Sequence, residues 1–108
     1  MTTEELNALN SEVAKVMGIP TRLINNEVIR IDKHEPWQPT RDPRCERIVV
    51  EWIISQKRFV TTIYDPAGKC VVEISVPGSK KYSFWYKGDS PGIALCLAVV
   101  EAFGGGEK

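Results

Sequence analysis

Arg58-Phe59-Val60-Thr61-Thr62-Ile63-Tyr64, the run from Lys69 to Val76 (KCVVEISV) and the run from Lys81 to Lys87 (KYSFWYK) share a period-two character, and their reading decides the fold. Asp65-Pro66-Ala67-Gly68 joins the first two runs tightly and Pro77-Gly78-Ser79-Lys80 the second two, both with residues that turns favour. An antiparallel three-stranded meander follows. Along the middle strand Cys70, Val72, Ile74 and Val76 point one way, and Val71, Glu73 and Ser75 the other. The sheet therefore has one apolar and one mixed face. Tyr82, Phe84 and Tyr86 share one side of the third strand, Ser83 and Trp85 the other.

Working outward, Asp42-Pro43 is an N-cap with proline at the first helical position, where a missing N–H costs nothing. The stretch Ile48 to Ile54 is β-branched enough for a strand, but Cys45, Ile48 or Val49, Trp52 and Ile53 fit helical spacing from that cap, and we read a helix. At the other end of the chain, Asp89-Ser90-Pro91 caps a helix read as Ile93 to Phe103, apolar almost all round, with Glu101 its only charge. Gly104-Gly105-Gly106 ends it, and residues 105–108 read as a flexible tail.

Before the meander, Thr2 and Glu5 form the Thr-x-x-Glu capping box of a first helix, Thr3 to Met17, with Leu6, Leu9 and Val13 on one stripe and Gly18 and Pro20 as its stop. Leu23-Ile24 and Val28 to Ile31 flank Asn25-Asn26, a pair that tolerates positive φ, and predict a small hairpin. Lys33 to Arg41, with His34, Pro36, Trp37 and Pro39, reads as an ordered loop carrying an exposed tryptophan. The expectation is a single α+β domain over residues 1–104, a three-stranded antiparallel meander packed with three helices as an αβα sandwich in the order α-(hairpin)-α-β-β-β-α.

At 108 residues the chain holds one core, and 43% apolar with 26% charged residues is ordinary for a globular protein. Fourteen basic and fourteen acidic residues cancel, so no net field draws the protein to nucleic acid or an anionic bilayer. No apolar run approaches the ~20 residues that span a membrane, and the acidic start is the reverse of a signal peptide. A cytoplasmic location is expected. Cys45, Cys70 and Cys96 are odd in number and far apart, and with His34 the single histidine they offer no zinc spacing.

Three stretches carry a resemblance. Glu12-Val13-Ala14-Lys15-Val16-Met17-Gly18, Thr40-Arg41-Asp42 with Val49-Val50-Glu51, and Asp89 to Ala98 together resemble the small phage-encoded αβα-sandwich family of bacteriophages and prophages, whose activity is unestablished. The chain departs from that pattern in having Arg47 where a tryptophan is usual, with Trp52 a turn later. The resemblance implies the sandwich fold, a phage origin and hence the host cytoplasm, and assigns no catalytic residue.

Chemistry is sparse. His34 has no partner at a recognised spacing, the terminal glycines follow a helix where a phosphate cradle would precede one, and Glu46 and Glu51 read as an exposed helix face. No catalytic residue, metal or cofactor is expected. Lys80-Lys81 beside Tyr82, Trp85 and Tyr86 resembles a single-strand nucleic-acid surface, but the aromatics alternate as strand residues do. The mixed face, with Glu73, Ser75, Ser83 and Trp85 and with His34 and Trp37 in reach from the loop, is the candidate ligand site for a small nucleotide-like molecule. The plainer reading of that face is a half-solvated sheet surface.

The function expected is non-enzymatic: a phage accessory protein that counters host defence by binding a host protein or sequestering a nucleotide-like host molecule. An enzyme acting on a nucleotide-like substrate and a phage assembly protein without ligand are the alternatives. Self-association as a homodimer is also expected, since a three-stranded sheet covers one side of the apolar last helix while the other two helices compete for the same sheet. All three cysteines are expected as free thiols. Thiol titration in denaturant counts three, and an intramolecular disulfide in freshly made protein would contradict this.

Overall fold

Thr2 and Glu5 open the first helix reciprocally: the Glu5 N–H donates to Thr2 Oγ1 at 3.1 Å and the Thr2 N–H to Glu5 Oε1 at 2.7 Å. Helix α1 (Thr3–Met17) ends at Gly18, whose φ of 78° lets the chain turn back so that the Ile19 N–H reaches Ala14 O at 2.8 Å. In the computed structural model, residues 2–64, 66, 69–75, 84–88 and 90–104 are described, with the backbone alone for 84–88.

Strands β1 (Thr21–Ile24) and β2 (Glu27–Arg30) form an antiparallel hairpin. Its two-residue turn places Asn25 and Asn26 at φ 51° and 62°, the left-handed pair that matches strand twist. A two-residue strand within the anticipated loop, β3 (Glu35–Pro36), pairs with β2 and completes a small sheet of order β1-β2-β3. Pro36 is tolerated there because β3 is an edge.

Helix α2 (Pro43–Ser55) starts at Asp42, whose carboxylate accepts the Arg44 N–H at 2.9 Å. Its β-branched run is helical because Cys45, Val49 and Ile53, four apart, form one buried stripe. Strands β4 (Phe59–Tyr64), β5 (Cys70–Ser75) and β6 (Phe84–Gly88) form a second antiparallel sheet of order β4-β5-β6. Residues 76–83, which hold Val76 and the expected second turn, lie outside the described residues. So does the expected tail, 105–108.

Helix α3 (Pro91–Val99) is capped by Ser90 and runs into a π-helical turn over Val100–Gly104. Ser90 stands directly before Pro91, the cap before proline that the Asp89-Ser90-Pro91 stretch predicts, and Asp89 lies outside the described residues. α3 packs on β5 and β6 and against α1 and α2. Gly92, Ala94, Leu95, Cys96, Ala98 and Val99 are all buried by these neighbours. Much of the apolar surface of this helix is therefore covered within the chain, while Ile93, Leu97, Val100 and Phe103 are half-buried. Trp52 of α2 meets Phe103 edge-on, with ring centroids 4.8 Å apart. The described residues form a mixed α+β arrangement of three helices and antiparallel sheets.

Trp37 overturns its sequence reading. Its side chain is 0% exposed, in the core with Val13, Val28, Val49 and Val99. Two prolines and a polar neighbourhood suggested a surface loop, but the indole Nε1–H donates to the Asn10 carbonyl at 3.0 Å and the Arg30 guanidinium lies 5.5 Å over the ring. The Trp37 N–H also donates to Val28 O at 2.8 Å, fixing the loop to β2. Trp37→Ala should accordingly cost about 3–5 kcal/mol in denaturant unfolding, as for a core aromatic. An unchanged midpoint would return the indole to the surface.

Candidate functional site

The six residues proposed for a ligand site, Ser83 apart, are distributed over the core, the turn after β2 and the second sheet. Trp37 is core. His34 stands exposed in the turn between β2 and β3, at φ 55°. Glu73 and Ser75 lie on β5 in the other sheet, half-buried and on the opposite side of the strand from the buried Cys70, Val72 and Ile74. Trp85 is the register partner of Glu73 across β5 and β6, so their backbones do bring these two positions together. Ser83 lies outside the described residues.

Register defines what accompanies them. Phe59, Thr61 and Ile63 of β4 oppose Ser75, Glu73 and Val71, and directly opposed residues of an antiparallel pair share a face. This outer face holds Phe59 at 58% exposure and Ile63 at 45%, around Thr61, Glu73 and Ser75. The inner face, with Val72 and Ile74 buried, is the one α3 covers. Thr62 and Tyr64, on the inner row of β4, are exposed as well, Tyr64 at 70%. β4 is thus an edge strand whose outer row is exposed and whose inner row, Val60 apart, is exposed as well. Phe59 and Ile63 went unnoticed in the sequence, although apolar residues in both rows of one strand, Phe59 and Ile63 against Val60 and Tyr64, are a signal of just this kind.

A separate cleft of about 390 Å³ lies between β3 and the start of α2, lined by Glu35, Pro36, Asp42, Arg44, Cys45 and Ile48. Its polar groups already serve the fold. Asp42 is held below the usual carboxylate range, first by the Arg44 N–H that it caps. Burial pushes the Cys45 thiol up, and its Sγ–H points to Pro36 O at 3.7 Å. A protonated thiol is a weak nucleophile. Cys70 and Cys96 are free and buried too, and burial raises the Cys96 thiol strongly.

Among the described residues no three His, Cys, Asp or Glu side chains gather as a metal site, and no helix is long and apolar enough to cross a membrane. Compared with known proteins, the chain matches no family model, no curated protein and no solved structure.

The turn that carries His34 is held by a two-pronged ion pair: Arg30 Nε donates to Asp32 Oδ1 at 3.1 Å and Nη2 to Oδ2 at 2.8 Å. That hydrogen bonding lowers the Asp32 pKa. A carboxyl whose folded pKa is depressed stabilises the fold above its unfolded pKa and loses that contribution as pH falls through the folded value. Asp32→Asn should therefore lower stability at neutral pH and flatten the acid limb of the stability profile. An unchanged limb would mean that the pair carries no linkage.

Proposed function

We propose that this protein acts by binding another protein through the outer face of the β4-β5-β6 sheet, with no reaction of its own. The observation that carries this reading is the exposure of Phe59 and Ile63 on the row of β4 that also holds polar Thr61 and opposes half-buried Glu73 and Ser75. An apolar centre with polar neighbours is the usual anatomy of a protein-binding patch. A nucleotide-like ligand is less well served, because Trp37, the aromatic wall expected of its pocket, is spent in the core. An enzymatic role is less well served again, since the cleft cysteine is held protonated and Asp42 is committed to a helix cap.

On this reading the sandwich arrangement is completed from outside. Helices lie against the inner face of the second sheet, and the partner supplies the layer on the outer face. A phage accessory role in the host cytoplasm, countering a host defence by occupying one of its proteins, goes with this proposal and rests on the resemblance of the sequence to phage αβα-sandwich proteins.

The test is site-specific photo-cross-linking in bacterial cells, with the cross-linker at Thr61 and, as a control, at the exposed Lys15 of α1. A discrete adduct from position 61 with a protein other than a second copy of the chain, absent from position 15 and lost with Phe59→Lys, is the expected result. The purified partner should then bind Phe59→Lys at least about tenfold more weakly, with folding stability within about 1 kcal/mol of the parent. The same adducts from both positions, indifferent to Phe59, would contradict the proposal.

A further inference from the structure

The free edge of β4 poses a question separate from the face. Its six residues, Phe-Val-Thr-Thr-Ile-Tyr, contain no charge, proline or glycine. Exposed edge strands are normally blunted by lysines, prolines or bulges, because their unpaired N–H and C=O groups template pairing with another chain. The first sheet follows that rule, with Arg22 in β1 and Pro36 in β3. β4 does not, and its side chains are exposed in both rows.

We propose that β4 pairs antiparallel with the β4 of a second copy, joining two three-stranded sheets into one of six strands. A two-fold axis perpendicular to a sheet keeps each face on its own side, so each residue of β4 must oppose one from its own row. Centring the axis on Thr61 sets Thr61 against Thr61 and Phe59 against Ile63 on the outer face, and Val60 against Thr62 on the inner one. Aromatic-to-β-branched and Thr-to-Thr pairs are the favourable cross-strand combinations. Centring on Thr62 makes the same kinds of pair on the inner face, Thr62 with Thr62 and Val60 with Tyr64, but loses the Phe59–Ile63 pair; counted along the sequence, it is the Thr61 register that sets Lys57 opposite Asp65.

Charge selects the direction. In sequence the strand is preceded by Lys57-Arg58 and followed by Asp65, so antiparallel self-pairing sets basic ends toward acidic ones, whereas parallel pairing would set like against like. Area sets the scale. At about 200 Å² per aromatic side chain, the open parts of Phe59, Tyr64 and Ile63 come to about 300 Å² per copy. With the backbone edge the pairing covers at most about 1,000 Å², below the ~1,200–2,000 Å² of a tight complex. The pairing is therefore smaller than the interface of a tight complex.

This inference goes beyond the binding proposal and stands without it, because it concerns the strand edge and needs only the purified chain. Sedimentation velocity over about 1–200 μM should show a reversible monomer–dimer equilibrium. Thr61→Lys alone and Thr61→Glu alone, each placing like charges opposite one another, should raise the dissociation constant at least about tenfold, and an equimolar mixture of the two should recover the dimer. A parent that stays monomeric across the range overturns the proposal, as does a dimer indifferent to both substitutions or not recovered on mixing. Should the variants not fold, the parent's sedimentation still decides whether a dimer exists, and chemical cross-linking between β4 strands decides whether it is this one. A dimer without a host adduct leaves the edge pairing standing and removes the binding proposal. An adduct from a monomer does the reverse.

Discussion

Asn10 of α1 is the residue on which the arrangement turns. It is 2% exposed, its side-chain Oδ1 accepts the Thr40 N–H at 3.1 Å, and its backbone carbonyl accepts the Trp37 indole N–H. Leaving the Thr40 N–H buried and unpaired would cost about 1–3 kcal/mol, so an apolar residue of similar size is no substitute for Asn10, although the backbone acceptor of the indole would remain. From this point the order propagates. Trp37, once held, takes its backbone bond to β2 and supports Arg30 above its ring. Thr40, once held, offers its carbonyl to Ser90 Oγ at 3.4 Å and lies against Gly92, where a Cβ would stand 2.5 Å from Thr40 O. Gly92 thus lets α3 begin hard against the loop.

That placement decides which face of the second sheet is filled. α3 starts at the loop and crosses β5 and β6, so Cys70, Val72 and Ile74 are buried while the alternate row of β5 is left half-open. β4 lies beside this packing, with Val60 alone of its six side chains packed against the core. An exposed Phe59 is the consequence of a helix fixed elsewhere, and the binding face and the free edge are two results of one geometric decision.

Local signals in the sequence were legible where they were complete in themselves. The Thr2–Glu5 box, the Asn25-Asn26 turn and the Asp42-Pro43 cap each name their own structure within a few residues, and each stands as read. Trp37 was misread because its burial depends on an acceptor twenty-seven residues earlier in the chain, at Asn10, and no local pattern reports such a contact. The last helix was read correctly as needing cover on several sides, but how much α1 and α2 supply is a tertiary quantity. In the candidate site, the mixed row Val71, Glu73 and Ser75 was visible from alternation, and Glu73 and Trp85 prove to be register partners. Phe59 and Ile63 were not singled out, although the meander order makes β4 an edge and apolar residues in both of its rows were there to read; how far each is exposed is a tertiary quantity.

Amide and indole hydrogen exchange tests the role of Asn10 most directly. If its two acceptors hold the loop to α1, the Thr40 N–H and the Trp37 indole N–H exchange as slowly as the core of β5, opening only with global unfolding, and in Asn10→Ala the Thr40 N–H, which loses its side-chain acceptor, speeds up more than the indole N–H, whose backbone acceptor remains. Exchange of either proton at the rate of the exposed turn around His34 in the parent protein would contradict the account, since the loop would then be placed by something other than Asn10.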